Sequence, residues 1–391
     1  MSALIMPLVM LHFVPEAQKN TGLGLITFIG LIIAMVVQPL AGAFSDRSGF
    51  IWGRRRPFIL IGSLISAVLI ISLGFANGIV LVLIIYCLLQ IASNIAHGPW
   101  QGLIPDLVPL NKRGIASAIK GVLETLGAVA GLGIAGYFLS QRFMADENSK
   151  LILTLSSISG LIIVCAVATV LLVKENRFTP QGTIRFMQYL KTAFTVEGRV
   201  SSSFIYFLLS RFLFLMPLII LRTFGLYYLR DVTEIPDPVA AASDLMIVVG
   251  ISLLIVIYPA GHLSDRFGRK LILTGSGLLG AIAFIVLIYF HTYYAVMVTG
   301  ALLGIANGCF MSTNWALATD LTTEGEEAKL LGLTNLATAG ACAIAALAGP
   351  VIDLFNTLNT HLGYLVVFGI SILFLIVSSL LVNKVRLTPV K

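Results

Sequence analysis

Charged residues are scarce in this chain of 391 residues. Asp, Glu, Lys and Arg together make up 11% of it, and hydrophobic residues make up 58%. Soluble globular proteins carry about 25% charged residues, so this composition excludes a soluble globular domain. Apolar runs of about 20 residues, the length that crosses the hydrocarbon core of a bilayer, recur along the chain. We therefore predict an all-α, multi-pass membrane protein whose surroundings are the lipid bilayer of a plasma or inner membrane.

Cysteines and soluble-enzyme motifs are also scarce. The motifs G-x-x-x-x-G-K-[ST], H-E-x-x-H and C-x-x-C do not occur in the sequence, so a phosphate-binding loop or a zinc site of these types is not expected. The four cysteines have no metal-ligand spacing and are predicted to be small buried hydrophobes: Cys87, Cys165, Cys309 and Cys342. We predict no cofactor, no metal and no enzymatic activity.

The formal net charge of +7 is distributed unevenly. Of the 25 Lys and Arg residues, 18 fall between predicted spans on one side of the membrane and four on the other. Cytoplasmic loops of membrane proteins carry such an excess of Lys and Arg. The charge therefore indicates topology rather than a nucleic-acid partner, and it predicts a cytoplasmic linker and C-terminus. We expect the protein to work as a monomer.

Twelve spans are predicted in two halves. Residues 1–173 form an N-terminal six-helix bundle and residues 201–391 a C-terminal one. Residues 174–200 form a cytoplasmic linker with an amphipathic surface helix, indicated by apolar residues at helical spacing: Ile184, Met187, Leu190 and Phe194. The first apolar run, residues 1–15, is short for a span. We expect residues upstream of Met1 to complete it.

One motif occurs in both halves. Gly42–Pro57 reads GAFSDRSGFIWGRRRP, and Gly261–Lys270 reads GHLSDRFGRK. Each copy lies between two apolar runs, and the shared aspartates, Asp46 and Asp265, are 219 residues apart. This separation, in a chain of 391 residues, indicates a duplicated membrane domain.

The pattern G-x-x-x-D-R-x-G-R-K between the second and third helices of a half resembles the signature loop of the major facilitator superfamily (MFS). The second copy matches it residue by residue, whereas Ser48 to Trp52 stretch the first. The first copy's form, S-D-R followed by G-R-R-R-P-F, resembles the sucrose/proton and glycoside-type symporters. The resemblance implies the MFS fold of two six-helix bundles and transport by alternating access.

The two repeated segments are predicted to act as a cytoplasmic gate. Their carboxylates can accept from backbone N–H groups at a helix N-terminus, and their arginines can pair with acids in the loops after the fourth and tenth spans. The alternative is that they only anchor the topology. The predicted gate consists of Gly42, Asp46, Arg47, Arg54, Arg55, Asp106, Gly261, Asp265, Arg266, Arg269 and Asp320.

Two ionisable residues lie one turn apart on the fifth predicted span. Lys120 and Glu124 share one face of it, and Glu124 lies about ten residues into the span, close to the midplane. Because such residues are costly inside a membrane, they are functional candidates. We predict that Glu124, with Lys120 as its partner, exchanges a coupling proton. Alternatively, Glu124 is only a structural partner of Lys120. The second span offers only Gln38 before the loop, so the sodium site of glycoside symporters is not supported.

Polar side chains also form stripes on the fourth and tenth predicted spans. The MFS resemblance implies that these spans, with the first and seventh, line the central cavity. Amide groups beside tryptophan suit a hydroxylated solute, although hydrogen bonding between helices would use the same groups. The predicted substrate-binding residues are Gln90, Asn94, His97, Trp100, Gln101, Arg211, Arg222, Asn307, Asn314 and Trp315.

These features favour a secondary active transporter that moves a small solute, with a sugar as the first candidate and H+ as the coupling ion. A drug or metabolite efflux transporter of the same superfamily is the alternative within transport. A membrane sensor that keeps the scaffold without transporting is the alternative from another class. The pattern leaves the solute, the direction of transport and the coupling ion open.

Overall fold

The computed structural model describes residues 3–109, 112–141, 143–144, 146–175, 201–233, 235–321 and 327–386. Long helices dominate this part of the chain because a bilayer core offers no water to satisfy backbone N–H and C=O groups. Up to residue 175 the helices are α1 (Ile5–Phe13), α2 (Lys19–Asp46), α3 (Arg56–Ser72), α4 (Ile79–Gln101), α5 (Leu103–Leu107), α6 (Arg113–Leu139) and α7 (Glu147–Leu172).

From residue 201 onward the described helices are α8 (Ser202–Val232), α9 (Pro238–Phe267), α10 (Arg269–Tyr289), α11 (Tyr293–Asp320), α12 (Glu327–Ala346), α13 (Ala348–Leu358) and α14 (Leu362–Lys384). Eleven stretches of the described residues are long and apolar enough to cross a membrane, with α12 and α13 contributing to one of them. The nine-residue α1 precedes them. The prediction of an all-α multi-pass membrane protein with a short first helix is confirmed, whereas the predicted linker helix falls outside the described residues.

Contacts divide the chain into two compact units. Unit 1 comprises Met1–Phe28, Ala128–Gln141 and Gly198–Lys391, and unit 2 comprises Ile29–Gly127 and Arg142–Glu197. Both units pack helices through glycines. In unit 1 a Cβ on Gly304 would collide with the backbone of α9, and in unit 2 a Cβ on Gly62 would collide with the backbone of α4. Small residues let membrane helices approach closely in this way. The division into two six-helix bundles stays a prediction.

The two motif copies end their helices differently. In the first copy α2 ends at Asp46 and α3 begins at Arg56, with Gly53 at a φ of +107° between them. In the second copy α9 continues through Phe267, and only Gly268, at a φ of +92°, separates it from α10. The resemblance to a signature loop led us to expect a loop between the two apolar runs that flank Gly261–Lys270. Most of this segment is instead helical, because one glycine in the left-handed region suffices to separate the two helices.

Candidate functional site

The first motif copy forms a cluster of charges around Arg55 in unit 2. The guanidinium of Arg55 lies 2.5 Å from Asp106 and 2.9 Å from Asp46, and it also donates to the carbonyl oxygen of Pro99. Arg54 lies 2.5 Å from Asp106. Burial would raise the pKa of Asp106, but hydrogen bonds from Arg55 and Arg54 outweigh this effect and lower it. Asp106 is therefore held as a carboxylate by two cations.

The second copy forms a smaller cluster around Arg269 in unit 1. Its guanidinium lies 2.7 Å from Asp320 and 3.8 Å from Asp265, which is one turn earlier in the chain. Arg266 lies over the ring of its neighbour Phe267, at 5.4 Å from the ring centroid. In both halves, an arginine that follows the shared aspartate thus pairs with a later acid, Asp106 in the short α5 or Asp320 at the end of α11. Among the other predicted gate residues, Gly42 and Arg47 belong to the first segment and Gly261 to the second.

The predicted coupling pair lies against an aromatic residue of the predicted binding stripe. Lys120 on α6 lies 3.7 Å from Glu124 and 4.6 Å from the centre of the Trp100 ring. On its own helix, α4, Trp100 stacks with His97 at a centroid distance of 5.6 Å. These four residues belong to unit 2 and form one continuous series of contacts. Sequence spacing predicted the Lys120 and Glu124 pair, but neither the stacking of His97 with Trp100 nor the contact of Lys120 with Trp100 was predicted.

The amides of the α4 stripe are engaged in hydrogen bonds. Gln90 donates to the Tyr86 hydroxyl at 2.8 Å, and Asn94 donates to the main-chain carbonyl oxygen of Gln90 at 2.8 Å. Gln101 accepts from Gln38 of α2 at 3.0 Å, so this end of the stripe joins two helices. The bond from Gln38 to Gln101 is hydrogen bonding between helices, which is the alternative to substrate binding for these groups.

In unit 1 the structure brings Arg211 of α8 to two polar residues of other helices. Its Nε donates to Thr338 Oγ1 of α12 at 3.0 Å, and its guanidinium also donates to Asn314 Oδ1 of α11. Asn314 is fully buried, whereas its neighbour Trp315 is 47% exposed. Of the other predicted residues here, Asn307 lies on α11 two turns before Asn314, and Arg222 is exposed on α8.

Sequence reasoning missed a polar cluster of unit 1 that we call the Lys19 network: Glu16, Lys19, Asn20, Asp231, Asp353 and Tyr364. Lys19 is almost completely buried and lies 2.5 Å from Glu16 and 2.6 Å from Asp231, which also accepts from the Tyr364 hydroxyl. Asp353 accepts from Asn20 and from the backbone N–H of Thr21.

All members of the Lys19 network except Tyr364 line a cleft of about 330 Å³. The network joins residues up to 344 positions apart. The one signal for it in the sequence is Asp353, an acid inside the long apolar stretch of α12 and α13. The described residues contain no group of three or more His, Cys, Asp or Glu side chains that could hold a metal ion.

The fold defines a multi-pass helical membrane protein. Its fold is similar to that of a peptide transporter in complex with alafosfalin, with a TM-score of 0.72, 14% identity and coverage of 97% of this chain and 90% of the other. It is also similar to the nucleoside transporter NupG, with a TM-score of 0.70, 15% identity and coverage of 97% and 94%. At these identities the likeness shows the fold alone.

The family described as MFS/sugar transport protein matches residues 19–382, and the chain belongs to it. The family is the one that the motif resemblance implied. A sucrose transport protein of Arabidopsis thaliana is 30% identical over 188 residues, 40% of this chain and 31% of the relative. An uncharacterized MFS-type transporter of Methanocaldococcus jannaschii is 24% identical over 332 residues, 85% and 79% of the two chains.

A further relative is solute carrier family 45 member 4 of Mus musculus. It is 28% identical over 196 residues, 46% of this chain and 24% of the relative. The matches thus span less than a third of the length of this carrier and of the sucrose transport protein.

Proposed function

We propose that the protein is a secondary active transporter that moves a small hydroxylated solute, with a sugar as first candidate, by alternating access and coupled to H+. The observation that carries the proposal is the contact series from Glu124 through Lys120 and Trp100 to His97. It joins an ionisable pair within a membrane span to an aromatic surface of the kind that suits a sugar ring. Every group that the proposal uses lies on one chain, which suits a monomer.

The contact series supplies a physical route for coupling. A cation over a tryptophan ring is stabilised by about 0.5–2 kcal/mol, depending on its hydration. A solute that stacks on Trp100 competes with Lys120 for the ring and changes the distance from Lys120 to Glu124. Solute binding would thus act on the Lys120–Glu124 ion pair, to which the proposal assigns the coupling.

Uptake into proteoliposomes, against a panel of neutral and acidic sugars and with or without a pH gradient, tests this proposal. Glu124→Gln mimics the protonated acid and should abolish gradient-driven accumulation while sparing solute exchange. Glu147→Gln, which removes an acid from the N-terminal turn of α7, is the matched control and should accumulate normally. Normal accumulation by Glu124→Gln would reduce the acid to a structural partner of Lys120.

We also propose that the Arg55 and Arg269 clusters form a gate at the cytoplasmic end of the spans. The ion pairs of each cluster join separate helices, so they favour the arrangement in which those helices stay together. Asp46→Asn or Asp265→Asn should leave the protein in the membrane, bias it toward an inward-open state and slow transport. Labelling of engineered cysteines from the cytoplasmic side measures this bias, and unchanged labelling and transport in both variants would leave the segments as topology anchors.

A further inference from the structure

Arg211 carries a positive charge inside a membrane span. It lies nine residues after the start of α8, which is about 14 Å along the helix at 1.5 Å per residue. Since α8 has 31 residues and is longer than a hydrocarbon core of about 30 Å, Arg211 lies inside the span but within its first third. An ionised side chain at such a depth is costly unless another group compensates its charge.

The two partners of Arg211 do not compensate its charge. Thr338 and Asn314 are neutral acceptors, and together they use two of the five N–H groups of the guanidinium. Within the described ranges no carboxylate pairs with Arg211. The guanidinium therefore has both a surplus charge and donors to spare.

Asn314 has a donor without an acceptor at the same place. Its side chain is fully buried, and its Oδ1 accepts from Arg211. Its Nδ2 is buried and has no hydrogen-bond partner among the described residues. Buried polar groups in native structures are nearly always paired, so an orphan donor beside an uncompensated guanidinium calls for an explanation. An anion would satisfy both groups at once.

A second cation lies on the same side of α8. Arg222 follows Arg211 by eleven residues, which at 100° per residue returns to within about 20° of the same direction. Arg211 faces α11 and α12, so Arg222 is directed toward the same side of α8 at a different depth. This side therefore carries positive charge at two levels.

We propose that Arg211 and Asn314 bind an anionic group of the transported solute, a carboxylate or a phosphate, so that the solute class is an acidic sugar rather than a neutral one. The planar guanidinium suits both groups because its donors match their paired oxygens. Asn314 Nδ2 donates to the same anion, and Arg222 attracts it. This inference rests on the proposed transport function and narrows the solute class.

Ligand-induced thermal stabilisation of the full-length purified protein measures binding without transport. The probes are glucuronate as the carboxylate, glucose 6-phosphate as the phosphate and glucose as the neutral match, and the first two arms separate the two anions. One of the acidic probes should stabilise the protein at concentrations at which glucose does not. Arg211→Gln should weaken its apparent affinity roughly 10- to 100-fold, the range for losing one charge-assisted bond.

Asn314→Asp separates a binding role from a structural one. The change keeps the shape of the side chain but places a carboxylate beside Arg211, where it takes the position of the ligand's anion. Affinity for the acidic probe should fall as in Arg211→Gln, while the unliganded protein becomes no less stable. Lys384→Gln is the control for lost charge: Lys384 lies at the end of α14 over the Tyr206 ring, and its loss should leave the probe affinity unchanged.

Two results would overturn the inference: no stabilisation by either acidic probe, or unchanged probe affinity in both Arg211→Gln and Asn314→Asp. Proteoliposome uptake distinguishes a wrong anion site from a wrong transport function. If neutral sugars accumulate under a pH gradient while acidic probes do not bind, the transport function stands and the anion site is wrong. If acidic probes bind through Arg211 but no solute crosses the membrane, the anion site stands and the transport function is wrong.

Discussion

The two copies of the motif differ in how deeply their central arginine is buried. The side chain of Arg55 is 8% exposed and that of Arg269 is 24% exposed. Arg55 contacts two aspartates and a main-chain carbonyl oxygen, whereas Arg269 makes one short ion pair and one long one. The first copy departs further from the family pattern, yet its central arginine makes more hydrogen bonds and ion pairs than that of the second copy. Agreement with a motif therefore does not measure the strength of the interactions that it forms.

Hydrogen bonds in and around the longer loop of the first copy explain the difference. Ser48 Oγ and Ser45 Oγ both donate to the main-chain carbonyl oxygen of Arg54, at 2.7 and 3.3 Å. The backbone N–H of Arg55 donates to Glu175, which follows α7. The longer loop thus folds back on itself and fixes both arginines toward Asp106. The second copy has only Gly268 between its helices.

The largest expected effect comes from removing the buried arginine. Breaking a buried ion pair costs about 3–5 kcal/mol, and we expect the lower end for Arg55→Gln because Arg54 still reaches Asp106. Arg269→Gln removes a more exposed pair and should cost about 1 kcal/mol or less. Denaturant unfolding of the purified protein in detergent measures both values. Equal losses in the two variants would show that the burial difference has no energetic consequence.

A glycine beside Arg55 should have the next largest effect. A Cβ added to Gly102 would collide with the Arg55 guanidinium, whereas a Cβ on Gly42 would meet open space. Gly102→Ala should therefore destabilise the protein by about 1–3 kcal/mol, the range for overpacking. Gly42→Ala should be neutral or slightly stabilising, because alanine favours the helix. Unfolding midpoints of the two variants give the comparison, and a harmless Gly102→Ala would mean that Arg55 moves freely.

The two loop glycines should follow with smaller losses. Gly53 and Gly268 both have a positive φ, where a side chain costs about 1–2 kcal/mol. A Cβ on Gly53 would also press against the Glu175 carboxylate, whereas nothing lies near one on Gly268. Gly53→Ala should therefore lose more stability than Gly268→Ala. The reverse order in unfolding experiments would indicate that the first loop yields more easily than its hydrogen bonds suggest.

The sequence predicted helices well and their ends less well. Runs of about 20 apolar residues admit few structures in a membrane, so the class and most spans followed from composition and length. The end of α9 did not follow from composition and length. A loop of several residues was expected there, whereas the single residue Gly268 separates α9 from α10. A boundary of this kind depends on one backbone angle, which hydrophobic patterns do not record.

Contacts within one helix were also easier to predict than contacts between helices. Lys120 and Glu124 were paired from their spacing, and the structure places them 3.7 Å apart. The acceptors of Arg211 come from residues 103 and 127 positions further along the chain, and no local pattern points to them. The Lys19 network was missed for the same reason. Its members are ordinary polar residues until the fold brings them together.

The smallest expected effect concerns how the stability that Asp106 contributes to the first cluster depends on pH. Arg55 and Arg54 hold the pKa of Asp106 below its usual value, so folding favours its ionised form. Its contribution to stability is therefore complete above the ordinary aspartate pKa of about 3.9 and is lost only as the pH falls through the lowered value. The thermal stability of the wild type should exceed that of Asp106→Asn by a constant margin from pH 7 down to about pH 5. If the margin disappears within that range, the two arginines do not hold Asp106 as a carboxylate, and the first cluster is no stronger than the second.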